Sequence, residues 1–306
     1  TLVFDLNDFD EAAWAPWEWD VKRLVTSIVI AGQSTSRDDA VVQDAALSAV
    51  RTYARSLRAG AKGTPLARYY DRFDALIAEK AVDAETRAVI AQAVKQAQKR
   101  TGERAARKLT TTAEDGRLVF VENPPTMSHV GAVLEERLLH VLGEFLDTVN
   151  VDIRALLQKY SLSDLSLRVV GVGSVGTRCF LISMQDGDGG ALLLQGKEAG
   201  SSVLIEHGGI EQPAGVARYI EEHGEGGRVV AMQRILQAVS DPFLGHVRHS
   251  PQGAQRDFYI RQFHDMKGGF DMDTLDDVSF RWYAQACGAT LARAHGQSPT
   301  ASTVAG

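Results

Sequence analysis

The chain has 306 residues, of which 44% are hydrophobic and 24% charged, a globular composition that excludes the disordered and collagen-like classes. No apolar run reaches the roughly eighteen residues that span a membrane, and the net charge of −6 gives no basic field for nucleic acid. The two cysteines, Cys179 and Cys287, are too few and too far apart for a disulfide framework or a Cys-x-x-Cys metal motif, so we expect a cytoplasmic protein that binds neither membranes nor nucleic acids.

The first half of the chain is predicted to be mainly helical. Residues 1–4 have the composition of a strand, and because this strand starts at Thr1 without a preceding Met, we expect the chain to be a fragment. The elements predicted next are amphipathic helices from Pro16 to about Lys108, a strand at Arg117–Val121, a turn at Pro124-Pro125 and a helix over Val130–Leu157.

Near Leu167 the pattern changes to short β-rich runs separated by glycine clusters. The elements predicted there are strands at Arg168–Val170, Arg178–Ile182 and Ala191–Leu194, a turn at Gln185–Gly190, a helix over Gly227–Val239, a strand at Asp257–Phe263 and a helix over Thr274–His295. We therefore predict an α+β fold. Its parts are a mainly helical lobe with an acidic N-terminal strand over residues 1–165, a β-rich glycine-loop lobe over 166–270, and a segment over 271–306 that returns to the helical lobe and ends in a loose tail.

The glycine run Gly171-x-Gly173-x-x-Gly176 fits the dinucleotide-binding fingerprint, but that fingerprint requires a helix immediately after it. Residues 177–184 favour a strand instead. The order is then strand, glycine loop, strand, turn, strand and lysine, which is the arrangement of the phosphate-covering loop in kinase-type nucleotide sites. The residues predicted to contact the phosphates of ATP are Gly171, Gly173, Ser174, Gly176 and Lys197. A bent β-ribbon with a surface lysine is the structural alternative.

The segment Phe4–Glu11 carries Asp5, Asn7, Asp8 and Asp10 between apolar residues. Clustered oxygen ligands suit Mg²⁺, and repulsion among the carboxylates would need a cation or hydrogen bonds to offset it. An EF-hand is excluded because Phe9 stands at the fifth ligand position. We predict Asp5, Asn7 and Asp8 as metal ligands, with a solvated strand end or a helix cap as the alternative.

Seven stretches of the chain resemble a bacterial family, the domain of unknown function 2252. They are Leu2–Glu11, Pro16–Leu24, Val169–Arg178, Leu194–Ala199, Ser240–Gly245, Asp257–Gly268 and Cys287–His295. Members typically carry a segment resembling Gly-Asp-x-His-x-x-Asn-Phe-Gly shortly before the position where this chain begins. That segment is similar to the catalytic loop of aminoglycoside-phosphotransferase-like kinases.

The second resemblance implies a two-lobed protein-kinase-like fold in circularly permuted order. Asp5 resembles the metal-binding Asp of those kinases, Asp20 their structural Asp, and Leu291–His295 the helix before their catalytic loop. Asp5 and Lys197 are accordingly the implied catalytic residues. The family usually has Glu where Ala231 stands, so the carboxylate partner of Lys197 is left open among four residues. These are Glu198, Glu206, Glu221 and Glu222.

Together these patterns predict a kinase-like phosphotransferase that depends on ATP and Mg²⁺, with a small-molecule or protein substrate that the sequence does not identify. One alternative is a nucleotide-binding pseudokinase or regulatory module without transfer. The other is a dinucleotide-binding oxidoreductase, which requires residues 177–184 to be helical.

Overall fold

The computed structural model describes residues 2–73, 82–130, 141–169, 176–249, 255–263 and 268–298. The fold is α+β, as predicted. The helices are α1 (Trp17–Ser34), α2 (Asp39–Lys62), α3 (Pro65–Tyr70), α4 (Ala84–Lys99), α5 (Gly102–Leu109), α6 (residues 141–148), α7 (Val151–Leu157), α8 (Val203–Glu206), α9 (Ala214–Leu236) and α10 (Asp277–His295). The strands are β1 (Thr110–Thr112), β2 (Leu118–Phe120), β3 (Met127–His129), β4 (Ser161–Arg168), β5 (Cys179–Gln185), β6 (Ala191–Ala199), β7 (Gly245–His249) and β8 (Arg256–Gln262).

Most predicted elements are confirmed, and the errors are local. The prediction of an N-terminal strand is wrong, because Val3 forms only a single β-bridge and residues 4–9 are irregular. The predicted helix over 130–157 is interrupted at residues 149–150. Helix α9 begins thirteen residues earlier than predicted, at Ala214 rather than Gly227. Strands β1, β3 and β7 were not predicted. The strand expected at Arg168–Val170 is misplaced, because β4 covers Ser161–Arg168 and Val169 lies outside it.

Six strands form one antiparallel sheet in the order β3-β4-β5-β6-β8-β7. The predicted boundary between the helical and β-rich lobes, at residues 165 and 166, stays a prediction. The first two strands of this sheet, at residues 127–129 and 161–168, begin before that boundary. The register places Lys197 of β6 between Cys179 of β5 and Tyr259 of β8. Because alternate residues of a strand share one face, Gln195, Lys197, Tyr259 and Arg261 all lie on the same face of the sheet.

Both faces of the sheet are covered. The main apolar core lies between one face and the segments α6 and α7, and includes Phe145, Leu157 and Ile260. The opposite face packs against α5 near Leu193 and against α9 near Tyr259. This double cover explains why β5 is buried at six of its seven positions and has no polar alternation.

A separate helical layer contains α1, α2 and α10. Its core includes Ile28, Ala45, Ala49, Phe280 and Ala284. Small side chains at the contact let α2 and α10 approach closely along most of their length. Within the described ranges, no helix has the length and apolar character needed to cross a membrane.

Helix α9 is kinked where it meets the sheet. Gly224 has φ 72 and ψ −178, a conformation that favours glycine, and it divides the helix into two parts. The carboxylate of Asp257 accepts a hydrogen bond of 2.8 Å from the amide of Glu225 and so caps the second part. A Cβ at Gly226 would overlap the carbonyl group of Phe258, so glycine is required for the close approach of helix and strand. The kink therefore presses residues 225–236 against β8.

Candidate functional site

The acidic segment, defined here as residues 4–11, runs from the helical layer to the sheet. At its start the amide of Phe4 donates to the carbonyl of Phe73, at 3.1 Å, and the Phe4 ring packs edge-on against Tyr283 of α10. At its other end Phe9 is buried beside Val229 and Tyr259. Two apolar anchors therefore hold the polar residues between them at the junction of helices and sheet.

The last aspartate of the segment, Asp10, contacts Lys197 of β6. The Lys197 ammonium lies 2.7 Å from Oδ2 of Asp10, and the Tyr259 hydroxyl donates to Oδ1. Burial alone would raise the pKa of Asp10. The hydrogen bonds from Lys197 and Tyr259, together with the charges of Lys197 and Arg261, outweigh burial and lower that pKa below its usual value. Asp10 is therefore a carboxylate at neutral pH.

Lys197 projects into a cavity of about 230 Å³. The residues that line it are Asn7, Asp8, Phe9, Lys197, Val229, Gln233, Tyr259 and Arg261. The volume is smaller than the roughly 300–1,000 Å³ of pockets that enclose a whole small-molecule ligand. A cavity of this volume has room for only part of a small-molecule ligand.

Arg261 is the second cation of this cavity. Its Nε and Nη2 donate to Oε1 of Gln195, at 3.2 and 3.1 Å, and Gln195 is itself buried and donates to the Cys179 thiol at 3.2 Å. This chain of contacts fixes the guanidinium plane relative to the sheet. A fixed guanidinium beside an ammonium is a good receptor for phosphate oxygens.

Asn7 and Asp8 present their side chains to solvent at the edge of the cavity. Asp8 has φ 71, a left-handed conformation that turns the chain between Asn7 and Phe9. In the part of the chain that the structure describes, no three His, Cys, Asp or Glu residues are grouped so as to hold a metal ion by themselves. Mg²⁺ characteristically takes only one or two carboxylates and completes its shell with phosphates and water. Asn7 and Asp8 fit that limited role.

Asp5 lies apart from this cavity lining. Its Oδ2 accepts a hydrogen bond of 2.6 Å from the amide of Ala238, just beyond α9, and its Oδ1 accepts one of 2.8 Å from Leu6. Gln237 donates to the carbonyl of Leu6 at 2.8 Å in the same place. These contacts attach the acidic segment to the C-terminal end of α9. The metal-binding role expected of Asp5 stays a prediction.

Residues 170–175 lie outside the described residues, so the predicted phosphate contacts of Gly171, Gly173 and Ser174 stay predictions. Gly176 is described and has φ 95, and a Cβ there would have no neighbour within 4 Å. The carboxylate of Glu198 accepts from the Arg178 amide at 2.9 Å and thereby ties the end of the loop to β6. Residues 179–185 form a strand, not the helix that a dinucleotide-binding unit needs.

The contacts of Lys197 identify residues that the sequence did not. The carboxylate that pairs with Lys197 is that of Asp10, which stands 187 positions away in sequence, and not that of one of the four glutamates considered above. Glu198 instead pairs with Arg178 and Arg256. The alternation of strand residues 257–263 could have placed Tyr259 and Arg261 on one face. Only the register between β6 and β8 shows that this is the face of Lys197.

Comparison with known proteins identifies a family for this chain. No curated protein and no solved structure matches the chain. A family model described as an uncharacterized protein conserved in bacteria matches residues 1–306, the full length of the sequence. The chain therefore belongs to the bacterial family known as domain of unknown function 2252.

Proposed function

We propose that this protein is a kinase-like phosphotransferase that uses ATP and Mg²⁺. The observation that carries the proposal is the shared cavity, in which Lys197 of β6 faces Asn7 and Asp8 of the acidic segment. In protein kinases a strand lysine and a metal-binding aspartate grip the nucleotide phosphates in the same way. A circularly permuted kinase-like chain would bring the two groups together although they are far apart in sequence.

The charges around the cavity support a metal-bound phosphate over a free anion. Lys197 and Arg261 supply two positive charges, while Asp8 and Asp10 supply two negative ones. A bare phosphate would be repelled by the carboxylates, whereas Mg²⁺ lying between phosphate and carboxylate would compensate that repulsion. In this proposal Asn7 and Asp8 would hold the ion, and Lys197 and Arg261 would contact phosphate oxygens.

The remaining parts of the nucleotide site follow from the chain order. The backbone amides of residues 171–176 would cover the phosphates, as in other glycine loops of this type. Asp10 would act as the anion that orients the Lys197 ammonium, the part that a helix glutamate takes in protein kinases. We also propose a cytoplasmic location, since both Cys179 and Cys287 are free thiols, which is usual in a reducing compartment.

Calorimetric titration of ATP, with and without MgCl₂, tests the proposal. Mg²⁺ should tighten the binding of ATP to the parent protein, and Asp8→Asn should lose most of that enhancement. Glu211→Gln is the control, because Glu211 is an exposed carboxylate in the loop between α8 and α9. If the parent does not bind ATP under either condition, the proposal is refuted.

A single-turnover experiment with γ-labelled ATP separates transfer from binding alone. Release of label to water or to an added acceptor, abolished by Lys197→Met, is the outcome that a phosphotransferase predicts. Tight Mg·ATP binding without any release would identify a nucleotide-binding module instead.

A further inference from the structure

Arg228 of α9 has the most completely buried charged side chain among the described residues, with a side-chain exposure of 0%. A guanidinium has five N–H donors and keeps its charge at every accessible pH, so burial requires that its donors be satisfied. Nε donates to Glu225, one turn earlier in α9. The other contacts all go to backbone carbonyl groups outside the helix.

Those carbonyl groups belong to two segments of the site. Nη2 donates to the carbonyl of Asp10 at 2.8 Å and to that of Gly200 at 3.0 Å, and Nη1 donates to the carbonyl of Ala12. Gly200 directly follows β6, the strand that carries Lys197. One buried cation therefore joins the end of the acidic segment to the end of the lysine strand.

The kink in α9 determines where this cation lies. Asp257 caps the helix at Glu225, and Gly226 allows the helix to touch β8. Arg228 follows within one turn and so faces the point where the acidic segment crosses the sheet. The position of Arg228 is thus set by the helix and the sheet, not by the segment that it holds.

Asp10 is held through its backbone by Arg228 and through its carboxylate by Lys197 and Tyr259. Because both groups belong to one residue, freeing the carbonyl lets the carboxylate move. We propose that Arg228 is a positioning residue, which fixes the backbone of residues 10–12 and thereby keeps the Asp10 carboxylate on the Lys197 ammonium. The consequence for nucleotide affinity rests on the proposed function, whereas the effect on the ion pair does not.

The reactivity of the Lys197 amine measures the ion pair directly. The protein is treated with an amine-acylating reagent at fixed pH, and the modification rate of each lysine is obtained by peptide mass spectrometry. The Asp10→Asn variant gives the reference modification rate of a Lys197 amine that has lost its carboxylate partner. Arg228→Lys keeps the positive charge but loses the fork of donors, and should raise the Lys197 rate about fivefold, the effect of losing one net hydrogen bond.

Arg234→Lys is the matched control. Arg234 lies on the same helix and donates to the carbonyl of Leu244 at 2.6 Å, not to a carbonyl of the acidic segment. It should leave the Lys197 rate at the parent value. If Arg228→Lys does not fold, Glu225→Gln replaces it, since it loosens Arg228 without removing it and should give a smaller increase in the same direction.

A Lys197 rate that is the same in the parent, in the Arg228 or Glu225 variant and in the Arg234 control, while Asp10→Asn raises it, would overturn the proposal. A second measurement compares Mg·ATP affinity in the same variants, where Arg228→Lys should weaken binding and Arg234→Lys should not. If the parent fails to bind Mg·ATP, the proposed function fails, and the labelling rates still decide the role of Arg228.

Discussion

The most informative perturbation of the site is Lys197→Met, which removes the ammonium and keeps most of the apolar stem. The Lys197 side chain is 18% exposed and its partner carboxylate on Asp10 is 38% exposed, at a separation of 2.7 Å. A charge-assisted hydrogen bond from an ammonium to a phosphate contributes about 1.5–3 kcal/mol. At about 1.4 kcal/mol per factor of ten, the dissociation constant for Mg·ATP should rise by roughly 10- to 150-fold.

The stability of the fold should change much less than the affinity. Solvent reaches the carboxylate, so the free energy of unfolding should fall by no more than about 1 kcal/mol. Urea unfolding followed by circular dichroism measures this term, and titration calorimetry with Mg·ATP measures the affinity. Lys99→Met is the control, because Lys99 is an exposed lysine in the last turn of α4.

Two results would refute the reasoning behind this variant. The first is a dissociation constant for Lys197→Met within twofold of that of the parent and of the control. The second is a loss of affinity that follows a comparable loss of unfolding free energy, which would make Lys197 a residue of the fold and not of a phosphate site.

Three further predictions concern the face of the sheet that carries Lys197. Arg261→Gln should weaken Mg·ATP binding by about tenfold in the same titration, because it removes the second cation of the cavity. Gly226→Ala should lower the unfolding free energy by about 1–3 kcal/mol in urea unfolding, because its Cβ would overlap Phe258. The control is Gly215→Ala in the open first turn of the same helix, which should raise the unfolding free energy by up to about 1 kcal/mol. Burial, and then the charge of His223, lower the pKa of His246 to about 4. Between pH 4 and 6.5 the unfolded chain therefore binds a proton at His246 that the folded chain does not. The contribution of His246 to the unfolding free energy is fully present above pH 6.5 and is lost as the pH falls toward 4. His246→Gln should therefore flatten the dependence of the urea unfolding midpoint on pH.

The strands that carry the site could be predicted because their residues have a strong local signal. The apolar runs of β5 and β6 flank a glycine-rich turn at residues 185–190, and this pattern fixes a hairpin without any knowledge of the rest of the fold. The same pattern places Lys197 near the end of the second strand, β6. Strand β7 was missed because Gly245, His246, Arg248 and His249 give it little apolar character, and it is an edge strand that pairs only with β8.

The early part of α9 and the conformation of the acidic segment could not be predicted for a related reason. The run His223–Gly227 contains three glycines and has a poor local propensity for helix. The structure tolerates it because Asp257 caps the helix at the kink. The acidic segment looked like a strand from its alternation, but the left-handed Asp8 and the contacts with α9 decide its path. In both cases the deciding partner lies far away in sequence.

The attachment of residues 10–12 to Arg228 has a consequence for how the molecule comes apart. Loss of these residues would take the carbonyl acceptors of Asp10 and Ala12 away from a permanently charged group in an apolar layer, next to the uncovered Val229 and Val230. Opening the segment should therefore cost nearly as much free energy as opening α9 and β8 themselves. In native-state hydrogen exchange the amides of these three regions should lose protection together, as one cooperative unit.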